Sequence, residues 1–220
     1  MSKLINGAIS ALAAAALVSC GNAGETTQAC CQENCCSKPS SVLVVVDVQR
    51  DFFCPEGSLY VSGSEELPAK IAAVAADYDA VIFTLDWHPA DHCSFKDQGG
   101  IWPSHCVAYT QGAGIADEFS PILALGSDKV QLFLKGTEQD KEQYGAFEDI
   151  AEGKILCWLK NADKVAVCGI AGDYCVKEST ANILKVVPSE KVTMLLDCIR
   201  SIDDGTALNA FIAENGLKSE

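Results

Sequence analysis

Between an apolar segment and a helix-like segment lies the run Gly169-Ile170-Ala171-Gly172-Asp173-Tyr174-Cys175-Val176. Residues 164–168 before it form an apolar run that predicts a buried strand, and residues 177–184 after it predict a helix. Cys175 would then lie at the carboxyl end of a strand, the edge at which open α/β sheets bind ligands. The start of a helix also favours a thiolate. We interpret Cys175 as a candidate nucleophile, although a cysteine in such a place, taken alone, is more often structural.

Two other predicted strands end in charged residues. Residues 42–46 are an apolar run that leads into Asp47, and residues 130–134 lead into Lys135. Taken alone, Asp47 could cap a turn and Lys135 could be a solvated strand end. Because the carboxyl ends of parallel strands meet at one edge of a sheet, both could instead lie beside Cys175. A cysteine nucleophile needs a base that takes its proton, and a nearby cation lowers its pKa.

The rest of the chain alternates predicted strands with predicted helices. Helical patterning covers residues 65–77, the region around 146–160 and residues 203–215, and residues 191–197 form a late apolar strand. This alternation predicts one three-layer α/β/α domain with a mostly parallel sheet over residues 42–220. The formal net charge of −14 argues against nucleic acids and anionic lipid headgroups as partners.

Several motifs resemble those of a known superfamily. The Asp–Lys–Cys set of the isochorismatase-like cysteine hydrolases is matched by Asp47, Lys135 and residues 169–176. The nicotinamidase branch of that superfamily is matched by residues 84–95 and 102–107, and the resemblance covers the whole predicted domain. It implies an isochorismatase-like, Rossmann-like fold. It also implies a nicotinamidase of NAD salvage that converts nicotinamide to nicotinate and ammonia through a thioester and also accepts pyrazinamide.

The resemblance assigns roles to individual residues. Asp47 would be the general base, Lys135 would stabilise the charged arrangement and Cys175 would be the nucleophile. The backbone N–H groups of Ala171 and Cys175 would form the oxyanion hole, and the peptide bond Ile170–Ala171 would be cis. Aromatic side chains would enclose the pyridine ring, although core packing is the commoner fate of any one aromatic residue. The wall positions would be held by Phe52, Trp102 and Tyr144.

A metal site is predicted in the middle of the chain. Asp86 and His88 lie two residues apart at the end of an apolar strand, so their side chains share a face, and His105 follows in a turn. Two histidines and a carboxylate leave coordination positions open on a divalent ion. The resemblance makes these three the ligands and His92 an outer residue or an optional fourth ligand. We favour Zn²⁺, with Fe²⁺ and Mn²⁺ as alternatives.

Two other functions compete with a nicotinamidase. Another amide or carbamoyl hydrolase of the same superfamily would use the same nucleophile, but isochorismate-type members lack the metal set. A thiol-rich metal-binding lipoprotein without activity would explain the twelve cysteines of the chain. The presence of Asp47, Lys135 and Cys175 argues against this inactive lipoprotein, because all three residues of the catalytic set are intact. Ammonia release from nicotinamide would separate the three.

The first residues suggest export. Residues 1–19 combine a positive start with an apolar run, as in a secretory signal, and run into Cys20 in a sequence that resembles a bacterial lipoprotein cleavage box. Residues 20–41 would be a tether whose cysteines could form disulfides or bind a soft metal. They are Cys30, Cys31, Cys35 and Cys36. We therefore predict an enzyme of the bacterial cell envelope, attached to the membrane only through a lipid on Cys20. The alternative is a cytoplasmic enzyme with an uncleaved N-terminus.

Overall fold

A six-stranded parallel sheet forms the centre of the computed structural model, which describes residues 38–220. The strand order is β3-β2-β1-β4-β5-β6, and every neighbouring pair is parallel. The strands are β1 (Ser41–Val46), β2 (Ala80–Asp86), β3 (Val130–Lys135), β4 (Lys164–Ile170), β5 (Val192–Arg200) and β6 (Lys218–Ser219). The five predicted strands are confirmed, and β6 is added at the edge.

Helices connect these strands and cover the sheet. They are α1 (Arg50–Phe53), α2 (Leu67–Ala75), α3 (Ser120–Leu123), α4 (Lys154–Asn161), α5 (Lys177–Leu184) and α6 (Thr206–Asn215). Short 3₁₀ turns span Lys96–Gln98, Asp117–Phe119 and Ser189–Lys191. The central strands β1 and β2 show no polar alternation: Val42 to Val46 are fully buried, and so is nearly all of β2. Such strands need cover on both faces, which confirms the predicted three-layer α/β/α fold.

One predicted helix is shorter than expected. Patterning extended it over residues 146–160, but α4 begins only at Lys154. Phe147 and Gly153 have positive φ angles of 67° and 107°, and an α-helix cannot contain either conformation. The segment between them therefore turns instead of continuing the helix.

The order of the strands creates a crevice beside β1. From β1 the chain builds the sheet outward through β2 and β3 on one side, and through β4, β5 and β6 on the other. The direction of winding thus reverses between β1 and β4. Ligands of open α/β sheets bind at this switch point, outside the carboxyl ends of the strands. Asp47 follows β1 and the turn with Cys175 follows β4, so both lie at this crevice.

We expect Gly169→Ala to destabilise the sheet strongly. Gly169 has a φ of 123°, and a β-carbon there would come within 2.0 Å of the Val46 carbonyl oxygen on the neighbouring strand. The strands would have to separate, at a cost of about 3 kcal/mol or more, which lowers the melting temperature by roughly 6–12 °C. Thermal unfolding measures this. Gly126→Ala is the control, because Gly126 also has a positive φ but has open space around it. Equal losses in the two variants would contradict the packing argument.

The proposed signal and most of the proposed tether lie outside the described residues, which begin at Lys38, and Ser41 at the end of the tether is the first residue of β1. The part outside comprises residues 1–19, the lipid site Cys20, and the four cysteines of the tether up to Cys36. Among residues 38–220, none of the helices has both the length and the apolar character needed to cross a membrane.

Candidate active site

Asp47, Lys135 and Cys175 meet at the carboxyl edge of the sheet. The Lys135 ammonium lies 2.8 Å from Asp47 Oδ2 and 3.4 Å from Cys175 Sγ. It also donates a short hydrogen bond to Asp86 Oδ1 at the end of β2. All four side chains are almost completely buried. The sequence predicted that Asp47, Lys135 and Cys175 share one edge of the sheet. In the structure Lys135 lies close to both of the other two.

The buried lysine remains charged because it lies between two carboxylates. Burial lowers the pKa of Lys135, but Asp47 and Asp86 raise it well above its ordinary value. The two carboxyls differ from each other. Burial raises the pKa of Asp47, and Lys135 offsets this only in part. The pKa of Asp86 is well below its ordinary value, because Lys135 and the two histidines near it outweigh the effect of burial. Asp47 is therefore the carboxyl that binds a proton more readily.

Cys175 does not have the lowered pKa that its position suggested. Burial raises the pKa of the Cys175 thiol well above its ordinary value, and the opposing effect of Lys135 is smaller. Removal from water thus outweighs the effect of the Lys135 cation, so the thiol needs a base that takes its proton. Asp47 Oδ2 has no well-aligned hydrogen bond to any of the described residues, although Lys135 lies close to it. This oxygen is available to accept the thiol proton.

Cys175 lies in a tight turn between β4 and α5. Residues Gly172–Val176 form a π-helical turn, in which the Ala171 carbonyl accepts hydrogen bonds from the N–H groups of Tyr174 and Val176. The Ile170–Ala171 peptide bond is cis, as predicted. Ala171 and Cys175 both line the pocket above the sheet edge. Their assignment as oxyanion-hole donors stays a prediction.

Asp86, His88 and His105 form a group that suits a divalent metal ion. Asp86 Oδ2 lies 3.5 Å from His88 Nε2 and 3.8 Å from His105 Nε2. Each histidine presents Nδ1 to a backbone carbonyl: that of Gly136 at 2.9 Å for His88, and that of Pro103 at 2.8 Å for His105. These contacts hold the proton on Nδ1 and direct the Nε2 lone pairs towards Asp86. The ligand atoms of the three residues lie within 4.8 Å of one another, so they could hold one ion.

His92 lies behind this group. Its ring centroid is 4.1 Å from that of His88. Both of its nitrogens are engaged, Nδ1 with Ser94 Oγ at 2.7 Å and Nε2 with the Lys141 carbonyl at 3.0 Å. A metal ion bound to His92 would have to replace one of these hydrogen bonds. Of the two roles that the sequence left open, this geometry favours the outer one.

Aromatic rings enclose the pocket in front of Cys175. The three predicted wall residues, Phe52, Trp102 and Tyr144, all line it. Trp102 Nε1 donates a hydrogen bond of 3.0 Å to Tyr144 Oη. Tyr174 adds a further ring, with centroids 5.1 Å from Trp102 and 5.3 Å from Tyr144. Sequence reasoning missed Tyr174, although its place directly before Cys175 was a usable signal.

Other lining residues come from loops and were also missed. They are Leu59, Val61, Glu142, Gln143 and Ile202. Leu59 and Val61 belong to the loop after α1, and Ile202 follows β5. No periodic pattern marks such positions, because the loops reach the pocket only through the tertiary fold. Together the residues form a mainly apolar pocket that has Cys175 and the possible metal ligands on its walls, which suits a flat ring carrying a polar group.

Known proteins are similar to this chain in sequence and in fold. The isochorismatase domain model matches residues 41–204. A nicotinamidase from Saccharomyces cerevisiae is 32% identical over 195 residues, covering 74% of this chain and 88% of the relative. A nicotinamidase/pyrazinamidase from Mycobacterium tuberculosis is 39% identical over 153 residues, covering 65% of this chain and 78% of the relative.

Solved structures agree with this relationship. The pyrazinamidase of Pyrococcus horikoshii in complex with zinc has a TM-score of 0.68 at 30% identity, covering 83% of this chain and 99% of its own. A protein from L. infantum in complex with nicotinate has a TM-score of 0.70 at 32% identity, covering 84% of this chain and 94% of its own. The family model spans most of the described residues, including Asp47, Lys135 and Cys175. The chain therefore belongs to the isochorismatase family.

Proposed function

We propose that this protein is a metal-dependent cysteine amidohydrolase that converts nicotinamide to nicotinate and ammonia. The main support is one observation: Asp47, Lys135 and Cys175 lie beside Asp86, His88 and His105. Cys175, Asp86 and both histidines line one aromatic-walled pocket. A superfamily amidase without a metal would need only the first three residues. Support also comes from the relatives, which are named as nicotinamidases or pyrazinamidases, and from the zinc in the P. horikoshii structure.

The substrate would be held from two sides. Phe52, Trp102 and Tyr144, with Tyr174, would pack against a pyridine ring and exclude water from it. Asp86, His88 and His105 would hold a divalent ion, for which Zn²⁺ is the preferred candidate. When bound there, the ion would accept an electron pair from the ring nitrogen. The carboxamide carbon would then face Cys175, which turns a bimolecular attack into a local one.

The chemistry would use Asp47 in both half-reactions. Asp47 takes the proton of the Cys175 thiol, and the sulfur forms a bond to the carboxamide carbon. The resulting oxyanion would be held by the N–H groups of Ala171 and Cys175. Asp47 gives the proton to the nitrogen, the C–N bond breaks and ammonia leaves a thioester. Asp47 then takes a proton from water, whose oxygen attacks the thioester carbon. The C–S bond breaks, the sulfur takes the proton back from Asp47, and the acid leaves as nicotinate after losing a proton to water. Lys135 keeps a positive charge beside these proton transfers.

Comparison of three amides tests the substrate. Purified protein loaded with Zn²⁺, Fe²⁺ or Mn²⁺ should release ammonia from nicotinamide and from pyrazinamide, which both have a ring nitrogen and a carboxamide. Benzamide has no ring nitrogen, so its kcat/KM should be lower by about 100-fold or more. Protein treated with a chelator is the control for the metal. Equal rates on benzamide and nicotinamide would remove the metal from substrate binding, and no turnover of nicotinamide with any metal would favour another amidase or an inactive binding protein.

We also propose that the enzyme is a lipoprotein of the bacterial cell envelope. The support is the positive start, the apolar run and the cleavage-box-like sequence that ends in Cys20. Cys20→Ser should move the protein from the membrane fraction to the soluble fraction, because several acyl chains at about 0.8 kcal/mol per buried CH₂ would otherwise anchor it. Cys30→Ser is the control and should remain in the membrane fraction. A wild-type protein that is already soluble in the cytoplasm would refute the proposal.

A further inference from the structure

Gln49 holds the backbone of Asp86. Its side chain is completely buried, although it carries no charge and lies outside the groups that would react. The Gln49 amide nitrogen donates to the carbonyls of Asp86 at 2.7 Å and of Ala113 at 3.0 Å. Its amide oxygen accepts a hydrogen bond from the Asp86 N–H at 2.8 Å. Both backbone polar groups of Asp86 are thus bound by one side chain at the end of β2.

Asp51 holds the loop that carries His105. Its Oδ2 accepts a hydrogen bond of 2.7 Å from the N–H of Cys106, the residue after His105. The Cys106 carbonyl in turn accepts a hydrogen bond of 3.1 Å from the His88 N–H. The Cys106 peptide groups therefore link Asp51 to both histidines. Gly112 lets the loop approach closely, because a β-carbon there would come within 2.1 Å of the Asp51 carboxylate.

Asp51 also reaches the pocket wall. Its second oxygen, Oδ1, accepts a hydrogen bond of 3.2 Å from the Ser58 N–H, and its own carbonyl accepts one of 3.1 Å from the Leu59 N–H. Leu59 lines the pocket. One carboxylate thus joins the loop that carries His105 to the loop that carries an apolar wall residue.

We propose that Gln49 and Asp51 are positioning residues that set the distance between Asp86 and the two histidines, and so the affinity of this group for a divalent metal ion. Both follow Asp47 within four residues, so the segment after β1 would supply the base and also hold the metal ligands. The inference rests on the metal site of the proposed function. Partners behind metal ligands characteristically change metal affinity about 10- to 100-fold when they are replaced.

The chemistry of the two side chains suggests sharp substitutions. Gln49→Glu keeps the size but removes the donor to two carbonyls, and it adds a negative charge near Asp86. Asp51→Asn keeps one acceptor oxygen and turns the other into a donor, which cannot pair with the N–H it faces. Matched controls exist on the same chain. Gln131→Glu on β3 removes donation to the carbonyls of Ser127 and Val130, and Asp117→Asn removes the exposed ion pair with Arg50.

Zinc affinity tests the proposal directly. Full-length wild-type protein and each variant are titrated with Zn²⁺ against a chelator of known affinity. Gln49→Glu and Asp51→Asn should bind Zn²⁺ about 10- to 100-fold more weakly than wild type, and the two controls should stay within about 2-fold. A further readout is the rise in melting temperature on adding Zn²⁺, which should be smaller in the two variants than in the controls. A residue that only stabilised the fold would lower the melting temperature of the metal-free protein and leave the zinc affinity unchanged.

The outcomes separate this inference from the proposed function. If wild type binds Zn²⁺ and hydrolyses nicotinamide while Gln49→Glu and Asp51→Asn bind Zn²⁺ as tightly as the controls, the positioning role is wrong and the proposed function stands. If wild type binds no Zn²⁺, Fe²⁺ or Mn²⁺, the metal site fails and the positioning role fails with it. If Gln49→Glu does not fold, the zinc affinity of Asp51→Asn decides the question. That variant should fold, because Asp51 is only partly buried and asparagine introduces no new charge.

Discussion

Cys175→Ala should abolish turnover of nicotinamide, with a loss in kcat of about 10⁴-fold or more, as in other enzymes that lose their nucleophile. Alanine has no atom that can form the bond to the carboxamide carbon, and Asp47 alone cannot form a thioester. The fold and the metal content should be unchanged, because the proposed metal group consists of Asp86, His88 and His105 and does not include Cys175. Ammonia release, bound metal and thermal unfolding are measured on the same preparation.

A second buried cysteine provides the control for that experiment. Cys198 on β5 is 5% exposed and does not line the pocket. Cys198→Ala removes a sulfur of the same size from the core, so it should cost some stability and leave the rate unchanged. Turnover by Cys175→Ala within about tenfold of wild type would rule out covalent catalysis by this residue.

Asp47→Asn should lower kcat by about 10²- to 10⁴-fold, the usual contribution of a general base. Asparagine can still accept the 2.6 Å hydrogen bond from Thr84 Oγ1, but it cannot take the proton of the Cys175 thiol. The loss should be large because burial keeps the thiol protonated, so the reaction cannot begin without a base. The variant also removes one of the two carboxylates beside Lys135, and some loss of stability should accompany it.

Asp79→Asn is the matched control for the base. Asp79 accepts hydrogen bonds from the N–H groups of Ser40 and Ser41 at the amino end of β1, the end of the strand opposite to Asp47. Its replacement should affect stability and not kcat. If Asp47→Asn and Asp79→Asn were equally active, another group would have to serve as the base. A mass spectrum of the thioester adduct checks the mechanism separately, because neither its formation nor its hydrolysis should proceed without Asp47.

Local patterns predicted most of the fold. Apolar runs such as Val42 to Val46 predict buried parallel strands because both faces of such strands are covered, and the structure confirms them. The prediction failed between Phe147 and Gly153, where the helical patterning continued but two positive φ angles stop the helix. Hydrophobic spacing reports which residues are buried and does not report backbone conformation.

The sequence also did not show how burial affects the pKa of the Cys175 thiol. A helix start and a neighbouring lysine are visible in the sequence or in a motif, and both favour a thiolate. The burial of Cys175 is visible only in the folded protein, and it raises the pKa of the thiol more than Lys135 lowers it. The supporting contacts of Gln49 and Asp51 were not predicted either, because they too form only in the folded protein. They join residues between 7 and 64 positions apart in the chain.

The order of the five main strands, the charged residues that follow them and the family of the motifs depend on neighbouring residues, so they could be predicted without a structure. The folded chain was needed to show that Lys135 lies between Asp47 and Asp86, that His92 lies behind His88, and that Tyr174 lines the pocket. These distances depend on the packing of four strands whose ends are far apart in the chain. Lys135 is charged in the folded and in the unfolded chain, but its two buried carboxylate neighbours come close to it only when the sheet has formed.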